Sequence, residues 1–113
     1  PYLASNRDAV LRFMRATVEG NYLAVSDSAR AKPVMARMLN ITDQKNLDVT
    51  YDNFKTYTPL NAEPTREGGQ AIINTVIAPG ASRNVDDYQD WSIHEELKAA
   101  GFFDTMAQKY GVS

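Results

Sequence analysis

The sequence has no cysteine and only one histidine among its 113 residues. Without cysteine there is no disulfide, no thiolate nucleophile and no Cys-ligated zinc, and the chain suits a reducing or an oxidising compartment equally. One histidine, His94, excludes a two-histidine metal site and weakens any Ser-His-Asp reading. Long apolar runs are missing too. The stretch AIINTVIA, residues 71–78, carries Asn and Thr and falls far short of the roughly 20 residues a bilayer span needs. Neither sign of charge dominates: 12 Lys+Arg against 14 Asp+Glu give a net charge of -2. No basic field is present to recruit phosphate backbones or anionic lipid, so nucleic acid and membrane surfaces are not expected partners. No segment alternates apolar and polar residues between turn signals, which removes the usual signature of a sheet.

What is present is helical periodicity, in a chain of a length suited to one domain, residues 1–113 with no internal boundary. Asn6 can cap a helix from about Arg7 to Val25, with Val10, Met14, Val18 and Tyr22 at i+4 spacing, Leu11 and Val25 widening the stripe, and Arg12, Arg15 and Glu19 on the wet side. Ser26 or Asp27 opens a second helix with Ala31, Val34, Met35, Met38 and Leu39 on its apolar face and Asn40 as its stop. Pro33 falls inside it and must kink it or mark its first turn. Thr42 or Asp43 opens a third, carrying Leu47, Tyr51 and Phe54. Two prolines and no periodicity make residues 56–64 an extended connection. After Pro64 a fourth helix places Ile72, Ile73, Val76 and Ile77 inward and ends at Pro79-Gly80. Residues 78–90 read as a long loop lying along a surface provided from elsewhere. Ser92 and Glu95 have capping-box spacing for a helix that closes at Gly101, and Phe102, Phe103 and Met106 give a last helix its apolar face. The expected fold is all-α, with five to six helices.

The chemistry-bearing patterns are incomplete. His94-Glu95-Glu96-Leu97-Lys98 begins like the zinc-protease motif H-E-x-x-H, but Lys98 stands where its second histidine belongs; His94 reads as a surface residue of an early helical turn. Gly68-Gly69 follows no strand and lacks the Lys-Ser/Thr of a phosphate loop, so it reads as room for close backbone approach. Asp86, Asp87 and Asp90 lack calcium-loop spacing and a terminal bidentate Glu, and read as a solvated loop with Asp90 near a helix start. Tyr51, Phe54 and Tyr57 could line a cleft, but at helical spacing they read as core. Glu95 and Glu96, adjacent on a helix, diverge and make a poor carboxylate pair. The expectation is a non-enzymatic protein with no catalytic residues, no metal and no cofactor.

Three stretches, in order, resemble the C-terminal portion of periplasmic solute-binding proteins of the nitrate/sulfonate/taurine type, a family grouped with thiamine-pyrimidine precursor binding proteins. YLASNRDAVLRFMRATVEGNYLAVSDSARAKPVMARML, residues 2–39, resembles the family's paired helices; REGGQAIINTV, residues 66–76, its E-G-x-Q helix; and DYQDWSIHEELKAAGFFDTM, residues 87–106, its closing E-L-x-x-x-G-F segment. The resemblance implies a fragment of a two-lobed α/β receptor of roughly three hundred residues whose final helices return to the sheet of the first lobe. It implies a periplasmic or extracytoplasmic substrate-binding component of an ABC importer. The ligand would be a small organic anion such as a sulfonate, nitrate or aromatic acid, and an ABC permease would be the partner of the full-length parent. Ligand-binding residues do not carry over, because the strands and loops that hold most of them are not in this stretch; whether Tyr57 or Asn61 faces the cleft stays open. The beginning PYLASNRD, without an initiator Met, suggests a processed or truncated product.

Two other readings stand beside it. One is a self-contained helical protein-protein interaction domain, which the long connections at 56–64 and 78–90 oppose. The other is an enzyme like the yeast-type pyrimidine synthases that share the fold, opposed by the absence of cysteine and the single histidine. Helices shaped to cover a sheet would expose on the order of several hundred Å² without it. At about 25 cal/mol per Å², covering that surface is worth several kcal/mol, so the isolated chain is expected to self-associate or rearrange its helices.

Overall fold

The computed structural model, which describes residues 2–112, contains seven α-helices, one 3-10 turn and, among the described residues, no strand. The helices are α1 (Tyr2–Ser5), α2 (Arg7–Ser26), α3 (Ser28–Leu39), α4 (Gln44–Tyr57), α5 (Arg66–Val76), α6 (Ser92–Ala99) and α7 (Phe102–Tyr110), with the 3-10 turn at Val85–Asp87 between α5 and α6. The all-α expectation holds; the short α1 is additional.

Local chemistry sets most helix ends. Asp27, Asp43 and Thr65 each stand at an N-cap and accept the N–H of Arg30, Asn46 and Gly68 respectively, satisfying donors that the first turn leaves free. Asn40 ends α3 in the left-handed conformation, φ 54°, which its short polar side chain tolerates. Asn6 stands at the N-cap of α2, but its side chain donates to the Tyr2 carbonyl of α1 instead of capping. Pro33 lies in the middle of α3, not in its first turn. Its missing N–H leaves the carbonyl four residues back, on exposed Ala29, to solvent.

The core is built where the chain's ends meet. Val18 and Tyr22 of α2 pack against Met106 of α7, with Leu60, Ala62, Phe102, Phe103 and Tyr110 around them. Two polar ties flank this cluster. Arg7 grips Glu96 through two nitrogens, at 3.0 and 2.7 Å, and Glu19 accepts from Lys109 (2.6 Å) and from the Tyr110 hydroxyl (2.7 Å). Glu19, placed on the wet side by the helical pattern, is therefore half-buried and engaged. Its hydrogen bond with Lys109 comes first among the causes that hold its carboxyl below the usual range, and the Tyr110 bond adds to it. On the other side of α2, α3 and α4 form an antechamber around Ala31, Leu47 and Tyr51, whose hydroxyl donates to the Ala24 carbonyl at 2.8 Å. Lys32 and Asp48 pair across it at 2.8 Å.

The connections differ from expectation. Helix α4 continues through Tyr57, so the link to α5 is residues 58–65, and it is folded: Ala62 N–H donates to the Pro59 carbonyl, and Leu60 and Ala62 pack on the core. The loop after α5 is anchored on this chain's own α5. Gln70 accepts from the Val85 N–H (3.2 Å) and donates to the Arg83 carbonyl (2.6 Å), stitching the loop to α5 and burying Val85. Gly69 lies under this stitch; a Cβ there would meet Val85 Cγ2 at 2.8 Å and the Gln89 amide at 2.7 Å.

Two glycines make opposite predictions. Gly69→Ala forces the buried Val85 aside and should cost about 1–3 kcal/mol, whereas Gly20→Ala, in open space within α2, should stabilise by about 0.5–1 kcal/mol; urea denaturation of both variants checks the signs. Because Glu19 is depressed in the folded state, its contribution is present above the ordinary carboxylate range and is lost as pH falls through its folded value. The melting-temperature advantage of the native chain over Glu19→Gln should therefore shrink between about pH 5 and pH 3.

Candidate functional site

Helix α6 carries Ile93 and Leu97 into the core, and their i, i+4 spacing turns the residue between, His94, toward the connection 58–65. His94 is not on the surface: it is 7% exposed. Its ring lies at 20° to that of Phe103, with 6.4 Å between centroids, and Nε2 lies 3.1 Å from the Asn61 carbonyl oxygen. A carbonyl only accepts, so Nε2 carries a proton and donates to it. The sequence carried a weak signal for this burial: His94 precedes Leu97 by three and is flanked by the apolar positions of an eight-residue helix.

Beside His94 opens a concavity of about 600 Å³. Its floor is aromatic, from Tyr22, His94 and Phe103, and its rim carries Glu63, Glu95 and Asp104 against a single cation, Lys98. Asn61 belongs to this cavity, whereas Tyr57 is 78% exposed.

The capping box does not form. Trp91 stands at the N-cap of α6 without a side-chain cap bond, Asp90 accepts the Ser92 N–H at 2.9 Å, and the Ser92 hydroxyl accepts from Arg7. The tertiary tie to Arg7 takes the hydroxyl that the local pattern assigned to a cap. Hydrogen bonds from Ser92, side chain first and then backbone, hold the Asp90 carboxyl below the usual range. Asp86 pairs with Arg66 and Asp87 accepts from the Ser82 hydroxyl, so the three aspartates of the loop serve three separate contacts. Tyr51 is core and Phe54 half-buried.

A second feature is apolar surface left uncovered. On α5 only Ile73 is buried, while Ile72 and Val76, expected inward, are 62% and 73% exposed. On α3 only Ala31 is buried, and Val34, Met38 and Leu39 are exposed. The reason is that α5 packs mainly on the 3-10 turn and α3 mainly on α2 and α4, so each has one flank covered. The chain exposes 7828 Å², against about 6,200 Å² for a compact monomer of its mass. Its radius of gyration is 16.7 Å, against about 13 Å for a compact domain of this length.

No protein family, curated protein or solved structure matches the chain.

His94→Leu keeps the volume but leaves the Asn61 carbonyl without its donor, and should cost about 1–3 kcal/mol, where an exposed position would change by about 0.5 kcal/mol or less. Denaturation, with limited proteolysis of residues 58–65, distinguishes the two.

Proposed function

We propose that the chain is the C-terminal helical part of the substrate-binding component of an ABC importer of the nitrate/sulfonate/taurine type, working in the periplasm or an equivalent extracytoplasmic space. Three stretches in order, residues 2–39, 66–76 and 87–106, support the reading by resemblance. The uncovered apolar flanks of α3 and α5 support it physically and carry it furthest. Helices that lie on one face of a sheet keep one flank for the sheet and expose it when the sheet is absent. The surface excess over a compact monomer, roughly 1,600 Å², is about twice what one partner contributes to a standard interface. That favours packing within a larger α/β body over a transient docking patch.

In this reading the ligand is a small organic anion such as a sulfonate, nitrate or aromatic acid. Its contacts lie in parts of the parent other than these helices, and the parent delivers it to a permease. The alternative, a self-contained helical interaction domain, calls for a closed bundle; the elongated outline, 46 × 35 × 24 Å, opposes it.

Sedimentation velocity of residues 1–113 alone and of the intact parent tests the reading, together with thermal melts of the parent against taurine, nitrate and an aromatic acid. The expected outcome is self-association of the isolated helices and a monomeric parent. One of the anions should stabilise that parent by about 2.7 kcal/mol at a hundredfold excess over its dissociation constant. A monodisperse, cooperatively melting 113-residue monomer would replace this reading with the interaction domain.

A further inference from the structure

We propose that two copies of the chain pair antiparallel through the outer face of α2. This helix is apolar on two sides. Val18 and Tyr22 face the core, and a turn of about 100° per residue puts Ala9, Phe13, Ala16, Gly20 and Leu23 on the opposite side. Those five recur alternately four and three residues apart, the spacing of a seam between paired helices, and none is charged. Phe13 is 69% exposed; Ala9, Ala16 and Gly20 are exposed too, and Leu23 is half-buried. The Thr17 hydroxyl beside the seam donates to the Phe13 carbonyl at 3.0 Å, so it asks nothing of a covering surface. Gly20 is a separate pointer. Glycine weakens the interior of a helix, and a Cβ at Gly20 would meet nothing within 4 Å, so no contact within this chain requires its bareness. A side chain arriving from outside does.

The partner is a second copy because the seam is complementary to itself. A two-fold axis through Ala16 sets each residue opposite the one equally far along the other helix. Ala9 then meets Leu23, Ala16 meets Ala16, and Phe13 enters the hole between Ala16 and Gly20 of the second copy, so large faces small at each level. The same operation brings Arg12 beside the second copy's Glu19. Arg12 is tied within its own chain to exposed Asp8 at 3.2 Å, and the bonds of Glu19 to Lys109 and Tyr110 both land on Oε1, which leaves Oε2 for Arg12. One helix pair covers less than the about 800 Å² per partner of a standard interface, so the dimer is weak, with a dissociation constant of roughly 10 μM to 1 mM. The pairing does not rest on the transport reading, which calls for cover on α3 and α5, and the two fail separately.

Because the chain has no cysteine, single introduced thiols map the geometry. Under mild oxidation of the 113-residue chain, Ala16→Cys should cross-link to its twin. Ala9→Cys should not do so alone but should cross-link when mixed with Leu23→Cys. Sedimentation equilibrium supplies the energetics: Phe13→Glu and Gly20→Leu, both at exposed positions, should each weaken the dimer about tenfold or more, while Ile72→Ser with Val76→Ser should leave the Ala16→Cys cross-link in place. A chain that stays monomeric to millimolar concentration, an Ala9→Cys chain that cross-links to itself, or association that ignores Phe13 and Gly20 would overturn the proposal.

Discussion

Val18 and Tyr22 against Met106 is the contact on which the rest of the chain depends. It joins the first long helix to the last, and the ties beside it span 89 and 90 residues of sequence, from Arg7 to Glu96 and from Glu19 to Lys109. Bringing two such distant segments together costs chain entropy that only apolar burial near the contact can offset. The fully buried Val18 lies there, and the link 58–65 lends Leu60 and Ala62 to the same cluster. The two polar ties are about half exposed, so they orient α6 and α7 on α2 more than they hold them there.

Away from that contact the structure thins. Helices α3 and α4 form a small second cluster around Tyr51, and α5 reaches the body mainly through Val85, the loop that Gln70 stitches to it, and Arg66 over the Trp91 ring. Local unfolding in such a molecule begins where few apolar contacts cross, which here means α5. The same thinness leaves Ile72, Val76, Val34 and Met38 open. One cause thus accounts for the elongated outline, the excess surface and the uncovered flanks: there are more apolar helix faces than there are partners to cover them.

The cavity is a by-product of the closure between the chain's ends. Helix α7 places Phe103 beside His94, the link 58–65 arrives with the Asn61 carbonyl and Glu63, and Tyr22 closes the floor from α2. No two of these four segments are neighbours in sequence except α6 and α7, so the set exists only in the folded molecule.

Helix positions were legible in the sequence because their causes are local. Asp27, Asp43 and Thr65 cap, Asn40 stops, and the i+4 recurrence from Val10 to Tyr22 places α2. The sequence therefore determined by itself an all-helical chain and most of its helix boundaries, because capping and periodicity act within a turn or two of the residue concerned. Tertiary structure alone decided which flank of each helix is covered. It buried His94 and left Ile72 bare, took the Ser92 hydroxyl from a cap to Arg7, and engaged Glu19 with α7. Each of those outcomes depends on a segment remote in the chain that either reaches the residue or does not, and amphipathic spacing records that a face is apolar without recording what will cover it.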